Sequence, residues 1–222
     1  GFDITDITPI ESAFEDFDND GYVDMIITGS NSRFYRNNGD KTFTKLEGLF
    51  DSNKMESFAI GDLNHDGKID IYGGYATIYT NPTNIDDVIW MNSTNNNNHF
   101  VTLNLIGTVS NKGAIGARAT VYSSLGSQIR EVRAGENYGT CNSYMLHFGM
   151  GSVTTIDSIV VRFPSGITQT LVNPAVDQFI KIIENDCVSP APTVSYSQSA
   201  PCICTGSTET LTSTAGLNYL WS

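Results

Sequence analysis

A spaced acidic pattern, D-x-[DN]-x-D-G-x-x-D, occurs twice in the first third of this 222-residue chain. The copies run from Asp16 to Asp24 and from Asp62 to Asp70, so they begin about 46 residues apart. In a tight loop, side chains at alternate positions turn toward one centre, and the glycine permits the sharp turn. Carboxylates gathered in this way repel one another strongly unless a cation lies between them. The pattern therefore predicts a calcium-binding loop in each copy.

The predicted ligands come from the same places in both copies. They are Asp16, Asp18, Asp20, Tyr22 and Asp24 in the first copy and Asp62, Asn64, Asp66, Lys68 and Asp70 in the second. Tyr22 and Lys68 are expected to contribute a backbone carbonyl, so their side chains do not matter for ligation. Calcium accepts six to eight oxygens in flexible geometry, whereas magnesium prefers octahedral, water-rich sites. We therefore expect two calcium ions, with weaker binding in the second copy because it has one carboxylate fewer.

These loops differ from helix–loop–helix calcium sites. The twelfth position of such a site supplies a bidentate glutamate, but here it holds Ile27 in one copy and Gly73 in the other. Apolar, β-type residues follow each loop instead of an amphipathic helix. Each ion is therefore expected to fasten a turn between two strands, which is a structural role and not that of a calcium sensor.

The rest of the chain predicts β-structure throughout. The spacing of the two copies suits a four-stranded propeller blade better than a helical repeat, and between them an Asn-Gly-Asp turn predicts a hairpin over 32–43. After the asparagine run 95–98 the pattern changes to short alternating strands separated by turn signals. The predicted fold is all-β, with partial propeller-type blades carrying calcium loops followed by an antiparallel β-sandwich or barrel. The predicted divisions are 1–95 for the repeats, 96–186 for the second β-domain and 187–222 for a linker with the truncated start of another domain.

Composition and cysteine content limit the partners and the compartment. The formal net charge is −12, with 24 acidic against 12 basic residues, so neither nucleic acid nor an anionic membrane surface is an expected partner. No apolar run reaches the roughly 18 residues of a spanning helix, so no membrane insertion is expected. Cys141, Cys187, Cys202 and Cys204 indicate one or two disulfides in an oxidising compartment, with three pairings open. Because Gly1 is not a natural start, the chain is expected to be part of a longer polypeptide.

Other candidate sites carry little signal. The three histidines, His65, His99 and His147, lack the spacing of a zinc site, and His147 is predicted to be a core or strand residue. The segments 113–116 and 149–151 contain paired glycines without a phosphate-loop fingerprint, and both are predicted to be turns. No nucleophile, acid and base form a recognisable constellation, so no enzyme activity is predicted.

Two known families share the motifs of this chain. Phe14–Met25 and Ile60–Ile71 resemble the FG-GAP/VCBS repeats of integrin-type propellers. The segments that resemble the ASPIC/UnbV domain are Asn98–Arg118, Arg133–Tyr138, Leu146–Gly151 and Val161–Gly166. The order of the two, repeats first and this domain second, resembles that of cartilage acidic protein-like proteins. The tail from Pro190 resembles the start of an Ig/PKD-like domain of large Bacteroidetes surface proteins.

These resemblances imply an extracellular or cell-surface protein whose partner is an extracellular protein or a glycan. A closed propeller needs several blades and only about two are present, so either the others precede Gly1 or the repeats pack in another way. The first functional hypothesis is a non-catalytic calcium-binding β-module of a large secreted or cell-surface protein, in adhesion, ligand binding or structural presentation. The alternative is an accessory carbohydrate-binding region of a secreted polysaccharide-active enzyme.

Overall fold

The computed structural model describes residues 7–77 and 81–185. Cys187, Cys202, Cys204 and the predicted linker from residue 187 lie outside these residues. Every regular element within the described ranges is a β-strand, which confirms the all-β prediction. No helix in these ranges is long and apolar enough to cross a bilayer.

We divide the strands into an N-terminal unit, β1–β9, and a C-terminal unit, β10–β16. The N-terminal strands are β1 (Pro9–Glu15), β2 (Asp24–Gly29), β3 (Arg33–Asn37), β4 (Phe43–Leu46), β5 (Ser57–Gly61), β6 (Asp70–Gly74), β7 (Ala76–Thr77), β8 (Asn81–Pro82) and β9 (Val88–Trp90). The C-terminal strands are β10 (His99–Ile106), β11 (Arg118–Ser123), β12 (Gly126–Glu131), β13 (Leu146–Gly151), β14 (Ile156–Arg162), β15 (Thr168–Val172) and β16 (Gln178–Ile183).

In the N-terminal unit each acidic loop connects the two strands of an antiparallel hairpin. The first loop joins β1 to β2, with Glu15 opposite Asp24, and the second joins β5 to β6, with Gly61 opposite Asp70. Strands β1-β2-β3-β4 form one sheet, β5-β6-β9 a second, and β7 and β8 a small third. The hairpin predicted between the two acidic copies is confirmed, because β3 and β4 pair across a turn in which Gly39 has a φ of +76°.

The C-terminal unit consists of two sheets that share one core. Their strand orders are β13-β10-β16 and β12-β11-β14-β15. Alternate residues of β10, namely Val101, Leu103 and Leu105, are buried with Val121 of β11 and Ile159 of β14 in a single hydrophobic cluster, as the period of a strand requires. This is the predicted sandwich, and none of the sheets built from the described residues closes into a barrel.

One strand pair departs from the predicted antiparallel pattern. β10 pairs with β13 antiparallel but with β16 in parallel, so that His147, Thr102 and Phe179 form one row across the sheet. A parallel pair needs a long crossover, and here the whole second sheet belongs to that connection. Because Val101 and Leu103 point into the sandwich, this row lies on the opposite face of the sheet.

The two units have separate hydrophobic cores. That of the N-terminal unit contains Phe17, Ile26, Phe34, Phe58 and Ile71, and it shares no buried residue with the cluster of the sandwich. The segment between β9 and β10 contains no strand. It includes the boundary predicted near residue 95, which we retain as a proposal.

Candidate metal centre

The first acidic loop, residues 16–24, is closed by hydrogen bonds from its backbone to its own carboxylates. Asp16 accepts the N–H groups of Asp20 at 3.1 Å and Gly21 at 2.8 Å. Asp18 accepts the Asp20 N–H at 3.3 Å. Such turns are typical of aspartate, whose short side chain reaches the backbone a few residues further on. They direct these carboxylates toward the inside of the loop.

Two residues of this loop require a left-handed backbone. Asn19 has a φ of 59° and Gly21 a φ of 93°. Asparagine tolerates this region better than most residues, and glycine enters it without steric cost. The sequence therefore permits the tight path that brings the alternate side chains together.

Asp24 closes the first loop from its far end. Its carboxylate accepts the N–H of Phe17 at 3.1 Å and that of Asn37, the last residue of β3, at 2.8 Å. The side chain of Asn37 in turn donates to the carbonyl oxygen of Val23 at 3.0 Å. The loop is therefore anchored to the neighbouring strand as well as to its own hairpin.

The second acidic loop, residues 62–70, repeats this network bond for bond. The Asp62 carboxylate accepts the backbone N–H groups of Asp66 at 3.2 Å and Gly67 at 2.8 Å. The Asn64 side-chain oxygen accepts the Asp66 N–H at 3.1 Å, and the Asp66 carboxylate accepts the Lys68 N–H at 3.0 Å. The Asp70 carboxylate accepts the N–H groups of Leu63 at 2.9 Å and Asn92 at 2.7 Å. His65 and Gly67 take the left-handed conformation, with φ of 59° and 80°. The two copies of the pattern therefore fold alike, and the Asn92 N–H donates to Asp70 as the Asn37 N–H donates to Asp24.

Three carboxylates of the first loop converge. Oxygen atoms of Asp16, Asp18 and Asp24 lie within 4.8 Å of one another, and Asp16 and Asp24 are fully buried. None of the ion pairs found among the described residues involves these three aspartates. Burial raises the pKa of Asp24 to about 7 and that of Asp16 well above its ordinary value, and neighbouring aspartates add to both shifts. This donor set fits a hard cation such as calcium, which would offset the repulsion.

The other predicted ligands of the first loop lie around this cluster. Asp20 is half-buried, and burial raises its pKa, but its oxygens are not part of the converging group. It accepts the N–H of Tyr22 at 2.8 Å. The Tyr22 side chain is exposed and lies against Gly39. Asp20 and the Tyr22 carbonyl remain predicted ligands.

The second loop gathers fewer charges. Among the described residues its acids form no converging group of three like that of the first loop. The physical reason is its third position, where the Asn64 amide replaces the carboxylate of Asp18. Asp62, Asp66 and Asp70, with Asn64 and the Lys68 carbonyl, remain predicted ligands of a weaker site.

Sequence reasoning missed the residues that link the first loop to the C-terminal unit. Asn19 accepts a hydrogen bond from Nε2 of His147, at 2.6 Å, and donates from Nδ2 to the carbonyl oxygen of Gly67 at 2.9 Å. Nδ1 of the imidazole accepts from the Thr102 hydroxyl at 2.9 Å. Burial lowers the pKa of His147 to about 3, so the ring is neutral. Its predicted place in a strand is confirmed, since it lies in β13 and is buried.

The prediction of a turn at 149–151 was wrong. These residues end β13, which passes directly over the first loop. A Cβ atom on Gly149 would lie 1.9 Å from the Asp16 carboxylate, and the Gly151 N–H donates to the Asn19 carbonyl at 2.7 Å. Glycine is required here because the strand lies so close to the loop. A glycine in a strand can be recognised as such a signal only when the segment that packs against the strand is known.

Comparison with known proteins agrees with this arrangement of loops and sheets. Residues 16–73, which include both acidic loops, match the family model described as FG-GAP-like repeat. Residues 107–189 match the model described as ASPIC and UnbV. No curated protein sequence matches the chain significantly. The chain therefore carries an FG-GAP-like repeat followed by an ASPIC and UnbV domain.

Proposed function

We propose that this chain is a non-catalytic, calcium-binding β-module of a secreted or cell-surface protein. Its role is adhesion, ligand binding or the presentation of neighbouring domains. The observation that carries the proposal is the cluster of Asp16, Asp18 and Asp24, whose oxygens lie within 4.8 Å of one another. Without a cation, these buried charges oppose closure of the β1–β2 hairpin. With calcium the same residues hold the hairpin together.

The family matches support the other parts of the proposal. FG-GAP-like repeats are typical of extracellular or surface proteins and often bind calcium. FG-GAP and ASPIC/UnbV domains are generally non-catalytic modules. The net charge of −12 disfavours nucleic acid as a partner. An extracellular protein or a glycan remains the proposed class of ligand.

A thermal melt with millimolar calcium, repeated with excess EDTA, tests the proposal. At about 100 times its Kd, a ligand of the folded state adds about 2.7 kcal/mol of stability. For a chain of this size, that corresponds to a rise in Tm of about 5–10 °C. We expect the rise with calcium and not with magnesium, because the loops offer many oxygens in flexible geometry. Coincident curves in calcium and EDTA would refute the structural role of the ion.

The alternative, an accessory carbohydrate-binding region, is favoured by one cleft. This cleft of about 410 Å³ lies between the two larger sheets of the N-terminal unit, where the half-buried Phe50 and Trp90 provide aromatic surface beside Asp18 and Arg36. Aromatic faces beside polar groups suit a pyranose ring. Retention of the chain on an insoluble polysaccharide, lost in the exposed-site variant Arg36→Ala, would favour this alternative. Binding to protein or cell surfaces without retention on polysaccharide would favour adhesion.

A further inference from the structure

Both acidic loops touch the C-terminal unit at the same place in their sequence pattern. Asn19 and His65 are the fourth residues of the two loops, and each has a φ of 59°. Asn19 contacts His147 of β13. The His65 ring lies edge-on to Phe179 of β16, with 5.1 Å between the ring centroids. The two apices therefore rest on the two outer strands of the same sheet, β13-β10-β16.

A single chain of hydrogen bonds crosses from this sheet through the first loop to the second. The Thr102 hydroxyl donates to Nδ1 of His147, whose Nε2–H donates to the side-chain oxygen of Asn19. The Asn19 amide then donates to the Gly67 carbonyl of the second loop at 2.9 Å. Asn19 can make both bonds with one orientation of its amide, because it accepts one and donates the other. The central imidazole is buried, so breaking this chain would leave polar groups unsatisfied.

The backbones also approach too closely for any side chain to lie between them. A Cβ atom on Gly149 would lie 2.6 Å from the Asn19 backbone as well as 1.9 Å from the Asp16 carboxylate. On the second loop, a Cβ atom on Gly67 would lie 2.1 Å from the ring of Phe100 in β10. The sheet therefore packs directly on the backbones of both loops, with no room for a side chain at Gly149 or Gly67.

The segment between the units also contacts the first loop. The side-chain amides of Asn96 and Asn98 both donate to the carbonyl oxygen of Asp18, at 2.6 and 2.9 Å. These asparagines belong to the run that the sequence marks as a boundary. They therefore bind the backbone of Asp18, a proposed ligand, through its carbonyl oxygen.

From these contacts we propose that calcium binding and docking of the acidic loops onto the sheet β13-β10-β16 are one coupled equilibrium. The sheet is a clamp that holds the loops in their ligating form. Asn19, His147 and Gly149 are positioning residues and not ligands. The inference rests on the calcium role proposed above. Thermodynamic linkage makes the coupling reciprocal. The free energy by which bound calcium favours docking equals the free energy by which docking favours calcium binding.

A second contact between the units provides an internal reference. The free edge of β5 is covered by the segment 137–143. The side chains of Asn137 and Thr140 donate to the Phe58 carbonyl at 2.8 and 2.6 Å, and the Ser143 N–H donates to the Ile60 carbonyl at 3.0 Å. This contact uses no residue of either acidic loop. If the coupling acts through the loops, calcium should change the protection of residues 137–143 against amide hydrogen exchange only slightly.

Amide hydrogen exchange of the full chain measures the docking directly, and titration calorimetry with calcium measures binding separately. We expect calcium to slow exchange in the peptide over 146–151, where the Gly151 N–H bonds to Asn19, by at least about fivefold. Exchange in the β11 peptide over 118–123 should not respond. The peptide over 137–143 reports whether the whole interface or only the loop contact has opened.

Two variants change the clamp without replacing a predicted ligand, and of these only Asn19→Gly leaves the ligand side chains unhindered. Gly149→Ala places a methyl group against Asp16 and Asn19. Asn19→Gly keeps the left-handed backbone but removes both side-chain hydrogen bonds. We expect each to lower calcium affinity by about fivefold or more. Gly113→Ala is the matched control, because its added methyl makes only ordinary contacts with Ile115 and Tyr144.

The outcomes separate this inference from the function on which it rests. Slower exchange over 146–151 in calcium, together with weaker binding by both variants and an unchanged control, supports the clamp. Calcium binding that leaves exchange at 146–151 unchanged overturns the clamp and keeps the calcium role. Wild-type affinity in Asn19→Gly also overturns it. No calcium binding by the wild-type chain overturns both proposals.

Discussion

At the scale of single residues, the third position of each acidic loop decides how much charge the loop must accommodate. Asp18 contributes one of three neighbouring carboxylates, whereas Asn64 offers a neutral amide at the equivalent place. The same carboxylate is unfavourable in the empty loop and favourable in the loaded one. The effect of a substitution at this position on stability should therefore change sign when calcium is added.

The variant Asp18→Asn is expected to give crossing melting curves. In EDTA its Tm should equal or exceed that of the wild type, because one repelling charge is gone. In millimolar calcium its Tm should be lower by about 3–5 °C, which corresponds to a tenfold loss of affinity, or about 1.4 kcal/mol. Asp86→Asn, at an exposed site, is the control. A variant less stable than the wild type in both buffers would mean that Asp18 is an ordinary turn residue.

Glu184 is a buried carboxylate of the C-terminal unit, outside both acidic loops. It accepts the N–H groups of Thr108, Val109 and Ser110 and the hydroxyls of Ser110 and Ser165. Burial alone would raise its pKa, but these hydrogen bonds outweigh it and lower the pKa from 4.5 to about 2. Because the folded-state pKa is the lower one, this carboxylate contributes its full stabilisation above pH 4.5 and loses it as the pH falls toward 2.

The variant Glu184→Gln should therefore change the pH dependence of stability as well as its level. It should lower the urea midpoint at pH 7, since an amide cannot accept so many hydrogen bonds. The difference from the wild type should shrink between pH 4.5 and pH 3, because this carboxylate takes up a proton there in the unfolded wild-type chain while it stays ionised in the folded one. Urea titrations at pH 7, 4.5 and 3 measure this trend. A difference that stays constant across these three pH values would contradict the assigned shift.

At the scale of elements, what could be predicted from the sequence depended on how local each interaction is. The acidic loops and the β3–β4 hairpin follow from Asp, Asn and Gly at fixed short spacing, and both have the expected form. The parallel pairing of β10 with β16 joins residues far apart in the chain, and no local pattern encodes it. Gly149 was misread for the same reason, since its constraint is a loop about 130 residues earlier.

The near identity of the two loops permits an exchange experiment at this scale. Asn64→Asp gives the second loop the carboxylate pattern of the first, with the same backbone hydrogen bond from Asp66 available to the new side chain. We expect the weaker of two calcium-binding steps to strengthen by about tenfold, because affinity follows the number of charged ligands in such loops. Titration calorimetry measures both steps. An unchanged weaker step would show that the third position does not supply a ligand.

At the scale of the whole molecule, two separate hydrophobic cores are joined in the loop region by hydrogen bonds and by the ring contact of His65 with Phe179. The clusters around Phe58 and around Phe148 have no buried residue in common. The links between them include the Asn19–His147 hydrogen bond, the contacts of the asparagine segment, the covered edge of β5, and the ion pair of Glu15 with Arg130. Cooperative unfolding of the two units therefore depends on a small number of directional interactions.

Calcium should accordingly decide whether the chain unfolds in one step or in two. With millimolar calcium, the docked loops join both cores and scanning calorimetry should record a single transition. In EDTA, repulsion among the aspartates weakens the loop contact, and the units are still joined by contacts outside the acidic loops, such as the β5 edge and the Glu15–Arg130 ion pair. The N-terminal unit, which contains both loops, should then melt first and the sandwich at a higher temperature. In calcium, Gly149→Ala should split the transition, and Gly113→Ala should leave it single. A single transition in EDTA as well would show that the contacts outside the acidic loops are enough to couple the two units.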